Sequence, residues 1–292
     1  MMKLSGGLRV AVGIAAVFAA ALGWANSALA GGEVIDFGKE SLKLNLGYYQ
    51  PNFSSRVAVG TTGSTPGNID GEEDLGLDKN LAGARLDGYW RFANRHRLHF
   101  GYYALDRSAS KVLTKDIGPI DIPGLGVYET IKAGSSINTE AKWEMFMLGY
   151  GYSFYKSETL EVAGQFGLNV GQIGTKISGT FITTTYPGGV SGATAGSVHY
   201  VPLPAFGFSG DWALDDRWRM RGHAGAFKIQ IQNVEANVLD AAVAGEYRVY
   251  GNIWAGLGYS ILNASAKLTE TNSNASIDWR TGGLQLYGSI LF

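Results

Sequence analysis

The final stretch of the chain, Ser276 to Phe292 (SIDWRTGGLQLYGSILF), leaves few folds open. Alternate residues counted back from the end are Ile290, Gly288, Leu286 and Leu284, and those between are Leu291, Ser289, Tyr287, Gln285 and Gly283. One face is apolar or tiny throughout and the other is mixed. A period of two is that of a β-strand, and a strand with no polar residue on one side suits a wall that faces lipid. About 9–11 tilted strand residues cross a bilayer, so the stretch is long enough to do so. The competing reading is an edge strand of a soluble β-sandwich.

The other end narrows the choice. Lys3 and Arg9 precede the apolar run Val10 to Gly23, and Ala28-Leu29-Ala30 places small residues where signal peptidase reads. Residues 1–30 therefore read as a secretory signal peptide cut after Ala30, leaving 31–292 as one barrel domain. Gly31 is not cysteine, so the site is not that of a lipoprotein. The rest contains no second run of about 18 apolar residues. An exported chain of this kind either stays soluble or spans as a closed barrel, because lipid offers the backbone no other partners. The chain has no cysteine, which excludes disulfide and thiol chemistry and suits passage through an oxidising periplasm.

The same alternation recurs along the chain. Leu42, Leu44, Leu46 and Tyr48 oppose Lys43, Asn45 and Tyr49 in the first strand. In Asn80–Ala93, Ala84, Leu86, Trp90 and Phe92 point out while Arg85, Asp87, Tyr89 and Arg91 point in. After a turn at Asn94-Arg95, Leu98, Phe100 and Tyr102 oppose Arg97, His99, Tyr103 and Arg107. Strand four, Thr139–Tyr155, turns Phe146, Leu148, Tyr150, Tyr152 and Phe154 outward. Strand five sets Leu160, Val162, Phe166 and Leu168 against Glu161, Gln165 and Asn169. Strand six, Ser197–Leu214, has Tyr200, Phe206, Phe208 and Trp212 opposite His199, Ser209 and Asp211. Pro202 and Pro204 predict a bulge or irregular edge in it. Four further strands follow, starting near Arg217, Val238, Ile253 and Ser276. Long loops are expected at 51–79, 108–138 and 186–196, and short turns between the other strand ends.

The fold class is thus all-β: a transmembrane antiparallel up-and-down barrel of about ten strands, with eight and twelve also compatible. An even number returns both termini to the periplasmic side. A sandwich would keep its outer faces charged. Here the charged residues collect on the inferred inner faces, and Tyr and Trp gather near strand ends as in aromatic girdles. Only 17% of residues are charged and the net charge is −1, without the basic excess that binding nucleic acid calls for.

Glu73-Asp74-Leu75-Gly76-Leu77-Asp78, Tyr89-Trp90-Arg91-Phe92, Arg95-His96-Arg97-Leu98, Leu148-Gly149-Tyr150-Gly151-Tyr152-Ser153-Phe154 and Pro202-Leu203-Pro204 together resemble a family of small, largely uncharacterised proteobacterial outer-membrane β-barrel proteins. The resemblance implies a fold and a place in the cell outer membrane, and carries no catalytic residues with it. Phe292 closing an alternating apolar strand resembles the terminal signal that the barrel-assembly machinery reads. The residue two before the end, often aromatic in such signals, is Ile290 here. The implied partners are outer-membrane lipid, lipopolysaccharide and that machinery.

Three clusters could carry chemistry. The first is the lumen, where Arg85, Asp87, Arg91, Arg97, His99, Arg107, Glu161, Asp211, Arg219, Arg221, Asp240, Glu246 and Arg248 would meet. Buried charges require partners, so this reads as a salt-bridged filling or a narrow charge-lined passage. The second is Ser209, Asp211 and His223: a turn centred on Asp216 sets Ser209 opposite His223 and Asp211 opposite Arg221, near the geometry of an activated nucleophile. The third is the acidic run Asp70, Glu72, Glu73 and Asp74, whose spacing is not that of an EF-hand. His96, His99, His199 and His223 show no metal spacing. The reading is a non-enzymatic barrel without cofactor, structural or passing small solutes through a narrow lumen. The alternatives are a protein that binds partners through its surface loops and, last, a barrel-embedded lipid or peptide hydrolase.

Overall fold

Backbone groups in a bilayer must find partners within the protein, and this chain meets that demand by closing a sheet on itself. The computed structural model describes residues 38–61, 67–121, 128–231, 233–269 and 273–292; the leader assigned to 1–30 lies outside them. The strands are β1 (Leu42–Thr61), β2 (Gly67–Asp70), β3 (Gly83–Ala93), β4 (His96–Val112), β5 (Ile117–Asp121), β6 (Tyr128–Ile131), β7 (Ser136–Lys156), β8 (Leu160–Phe181), β9 (Val190–Ala213), β10 (Trp218–Ile231), β11 (Val234–Tyr250), β12 (Ile253–Thr269) and β13 (Ser273–Leu291). Ten of these form the barrel in the order β1-β3-β4-β7-β8-β9-β10-β11-β12-β13. The barrel closes where β13 pairs with β1, from Lys43↔Leu291 to Thr61↔Ser273. Phe292 completes that seam: its amide donates to the Leu42 carbonyl at 2.8 Å, and its own carbonyl accepts from the Ser41 amide at 2.6 Å.

One end of the barrel carries short turns, the start of β1 and the end of β13. At the β9–β10 turn the Asp215 carboxylate accepts from the amides of Arg217 and Trp218, each at 2.7 Å. The β11–β12 turn places Gly251 at φ +50°, a left-handed conformation that glycine adopts without strain. The other end carries the long connections between β1 and β3, β4 and β7, and β8 and β9, beside short joins from β10 to β11 and from β12 to β13.

The expected faces are the observed ones. Trp90, Phe92, Phe146, Leu148, Phe154, Phe166, Phe208, Trp212, Leu284 and Leu286 all lie exposed on the outside, while Tyr89, Arg91, Arg97, Glu161 and Asp211 are buried within. The strand ends differ from expectation. β8 has 22 residues and β9 has 24, about twice what a crossing needs. The span 51–79 is no simple loop: β1 continues to Thr61 and β2 folds back on it, from Arg56↔Asp70 to Val59↔Gly67. Within 108–138, β4 runs on to Val112 and β5 and β6 form a hairpin. β9 starts at Val190, inside the loop expected at 186–196. Beyond the bilayer a strand has no lipid-facing side, so its apolar alternation disappears while its hydrogen-bond ladder continues. β9 does not bulge against β8 at its prolines, but the irregular edge expected there is present on its other side, where pairing with β10 stops at Gly225↔Gly207. Val170↔Pro202 and Leu168↔Pro204 stay in register with β8, and the register shift on that side lies at Gly179/Thr180.

Candidate functional site

The lumen is layered along its length. The layer at the turn end is ionic. β1 supplies Lys43, whose ammonium donates to both oxygens of Glu246 on β11 at 2.6 Å. β3 supplies Arg91, which grips Glu161 on β8 with two parallel bonds of 2.9 and 2.8 Å. Arg97 on β4 donates to Glu161 and, at 2.7 Å, to Asp211 on β9. Asp211 also accepts from Arg221 at 2.7 Å, and Arg221 reaches Glu246 at 3.5 Å. Arg219 lies 4.0 Å from both Glu246 and Glu40. Tyr89 donates its hydroxyl to Glu40, Ser153 to Glu161 and Tyr287, at 2.8 Å, to Glu246. Gly256 leaves the room in which the Tyr287 ring lies.

Burial makes this layer a plug. Lys43 and Glu246 are 0% exposed, and Arg97, Arg219 and Glu161 are 1% exposed. Planar guanidinium groups suit such a site because one fork can serve two carboxylates. The Arg97 guanidinium lies 4.5 Å from the Tyr89 ring centroid, and those of Arg219 and Arg248 lie 4.6 and 4.8 Å from the Trp254 ring centroid. The aromatic faces satisfy part of the cationic charge that the carboxylates leave.

Above the plug is a cavity of ≈ 230 Å³, lined by His99, Gln165, Ser209, His223, Asp240 and Tyr287 among others. Arg85 and Asp87 pair within it at 2.8 Å, and Asn45 donates to Asp87 at 2.8 Å. The third layer is aromatic. Trp143 and Trp279 stack at 4.2 Å, Phe53 meets Trp279 edge-on at 5.3 Å and Tyr49 meets Tyr103 at 5.9 Å. Leu105, Met145, Leu203 and Val238 complete it. Towards the loop end lie a smaller apolar cavity of ≈ 80 Å³ and a second core of Leu113, Ile117, Ile131, Ile137 and Phe181 beneath the β5–β6 hairpin.

Most of the expected lumen charges fall in the plug or the cavity above it. Arg107 does not. It lies beyond the aromatic layer, over Phe53 and Trp279, and donates to Glu72 at 2.5 Å. That contact also changes the acidic run. Glu72 is buried and accepts from the Ser55 amide and hydroxyl at 2.8 Å, Asp74 pairs with Lys115 at 2.7 Å, and Asp70 accepts from the amides of Glu72 and Glu73. Three of the four carboxylates are thus committed to holding the loop down rather than lying free at the surface. Among the described residues no group of three His, Cys, Asp or Glu is placed to hold a metal ion.

The expected register of the second cluster holds: Ser209 faces His223 and Asp211 faces Arg221. Its chemistry is rearranged. His223 Nε2 pairs with Asp240 at 3.0 Å, Asp211 is taken by two arginines, and the Ser209 hydroxyl accepts from Gln165 at 2.7 Å. Parity alone could have added Lys43, Asn45 and Tyr287 to the site. Glu40 carried no signal, because it precedes the first strand and has no alternation to place it.

No protein-family profile matches the chain, and no curated protein resembles it. Solved structures do. The outer membrane protease OmpT from Escherichia coli is 11% identical with a TM-score of 0.53, over 86% of this chain and 97% of that one. The translocator domain of the autotransporter NalP from Neisseria meningitidis is 12% identical with a TM-score of 0.45, over 95% and 97%. OprG from Pseudomonas aeruginosa is 9% identical with a TM-score of 0.36, over 87% and 96%. At such identity the likeness to OmpT shows the fold alone: this chain is an outer-membrane-type β-barrel.

Proposed function

We propose that the protein resides in the outer membrane, turn end towards the periplasm, and passes small solutes through its lumen without an open pore at rest. The leader is removed after Ala30, the β13 strand with Phe292 engages the assembly machinery, and lipid and lipopolysaccharide cover the apolar wall. The observation that carries this reading is the ≈ 230 Å³ cavity, lined by both apolar and polar side chains, between an ionic plug and an aromatic layer. A barrel that served only as a structural element would not need a roomy chamber carrying charged and amide side chains at mid-depth, where every uncompensated polar group is costly. Passage through it is passive and uses no cofactor. Hydrolysis is disfavoured because Ser209 accepts from an amide and His223 is engaged by Asp240.

Single-channel recording of the refolded protein in a planar bilayer tests the reading. The wild type is expected to show no stable open level, and Glu161→Ala with Arg97→Ala and Trp279→Ala, which thins both layers, to give small steps that scale with salt. A large, persistent conductance in the wild type would sink it, as would a triple variant that folds and stays silent. The second reading, partner binding by the loops, is favoured by the β5–β6 hairpin, which Ile117 and Ile131 anchor to Leu113, Ile137 and Phe181. Exchanging residues 113–135 while the barrel stays folded would abolish binding in that case and leave conductance alone.

A further inference from the structure

The wall is not uniformly sealed. β9 pairs with β8 along its whole length, from Leu160↔Trp212 to Phe181↔Val190. Its pairing with β10 runs only from Arg219↔Ala213 to Gly225↔Gly207. Beyond that rung β10 continues to Ile231 beside β11, and β9 continues to Val190 beside β8, but the two no longer pair with each other. Two neighbouring strands therefore part company while each remains in the sheet.

The parting lies at the upper edge of the apolar band. On β9 the outward residues around it are Phe208, Phe206 and Tyr200, all strongly exposed. On β10 the outward residues change from Ala224 and Ala226 to Lys228, which pairs with Glu235 at 3.2 Å. An unpaired strand edge facing lipid is unfavourable because its amide and carbonyl groups go unmet. Two features reduce that cost here. Pro202 and Pro204 fall on the parted stretch and have no N–H to leave unmet. The rings of Phe206 and Phe227 stack across the parting at 6.2 Å and 23°. Phe206 belongs to the outer surface, whereas Phe227 packs against the aromatic layer of the lumen. The parting is thus filled by a ring that touches both sides of the wall.

The last rung also borders the central cavity. Gly207, Gly225, Ser209, His223 and Asp240 all line it, and the glycine pair puts no side chain between the cavity and the parting. From this geometry we infer that the β9–β10 parting is a lateral doorway through which a small neutral amphiphile moves between the outer leaflet and the central cavity, with Phe227 as its door. The inference rests on the cavity being a solute compartment, as proposed above. The size fits, since an apolar cavity of roughly 150 Å³ accommodates benzene. So does the chemistry: Arg85 is paired with Asp87, and the Asp240 carboxylate is held by His223 at 3.0 Å, so the charged groups of the lining already have partners inside the barrel. Gln165 and Asn169 offer hydrogen bonds to a polar head, and Met147, Ala242 and Ala244 offer surface to an apolar body.

Because the chain has no cysteine, the doorway can be stapled. Continuing the register sets Ala205 opposite Phe227, so Ala205→Cys with Phe227→Cys bridges the parting when oxidised and leaves it without its ring when reduced. The probe is 2-naphthol, a neutral aromatic alcohol, added to refolded protein in liposomes and followed by energy transfer from the lumenal tryptophans. Ala242→Phe, which fills the cavity, defines the cavity signal, and heat-modified gel mobility confirms folding. Binding should slow by about tenfold on oxidation and exceed the wild-type rate on reduction, as expected where entry is gated by a conformational step. Equal rates in the oxidised, reduced and wild-type proteins would overturn the doorway while leaving the cavity as a compartment. No signal sensitive to Ala242→Phe would overturn the compartment and the doorway with it. If the disulfide does not form, Phe227→Ala alone should accelerate entry, and an unchanged rate would overturn the doorway.

Discussion

Two layers close the same lumen with opposite chemistry. At the turn end, Lys43, Arg91, Arg97, Arg219 and Arg221 interlock with Glu40, Glu161, Asp211 and Glu246. Towards the loop end, Trp143, Trp279, Phe53, Tyr49 and Tyr103 fill the same cross-section with rings. Both layers are built from inward residues of the same ladder, so the wall does not distinguish them. What differs is how each responds to losing a member. An ion-pair layer holds charges that cannot be left alone in a low dielectric. A ring layer loses contact area and gains a void. The first is therefore fragile to single deletions and tolerant of paired ones, and the second is graded.

The largest expected effect is in the ionic layer. Glu161→Leu leaves Arg91 and Arg97 without their shared carboxylate and should cost about 3–5 kcal/mol in urea unfolding from vesicles. Adding Arg91→Met should recover part of that loss. A double variant as unstable as the sum of its parts would erase the distinction between the layers. Next is Trp279→Ala, which removes one partner of the Trp143 stack and the edge contact with Phe53. A loss of about 3 kcal/mol is expected, without rescue by any second truncation in the layer. Arg97→Lys is milder. An ammonium lacks the planar fork whose two nitrogens reach Glu161 and Asp211 separately, and a loss of about 2 kcal/mol follows from one charged hydrogen bond.

The smallest effect lies outside both layers. Lys132 beside the exposed Asp116, with the Ala133 amide, holds that carboxyl below the usual carboxylate range. A depressed value means that any stabilisation is present above the ordinary carboxylate pKa and lost as pH falls through the depressed one. Solvent and salt screen such a pair, so Asp116→Asn should leave the unfolding midpoint at neutral pH unchanged. A clear shift would mean that the β5–β6 hairpin is more tightly coupled to the barrel than its surface pair suggests.

Much of the site could be read along the chain, though unevenly. The inward direction of Arg85, Asp87, Arg91, Arg97, Glu161, Asp211, Arg219, Arg221 and Glu246 follows from parity, because the apolar residues alternating with them fix which face meets lipid. The Ser209–His223 pairing followed from one turn at Asp215-Asp216. The height of a residue did not follow. Arg107 has the same parity as Arg97 but sits past the aromatic layer with Glu72, because β4 runs well beyond the bilayer. The loops at 51–79, 108–138 and 186–196 were overdrawn for the same reason. Once a strand leaves lipid its outer face is free to be polar, and composition there reads as loop.

Sequence by itself therefore determined the strand faces, the even number of crossings and which side chains would share the lumen. Each of these is local: a period of two and a lipid boundary decide it residue by residue. Only the tertiary structure decided who meets whom. Lys43 on β1 finds Glu246 on β11, and Arg97 on β4 finds Glu161 on β8 and Asp211 on β9. None of these pairs joins adjacent strands, so no ladder register prescribes them; they form across the interior once closure has fixed the barrel's width. The parting of β9 from β10 is likewise invisible in the alternation, since both strands keep their faces and lose only each other.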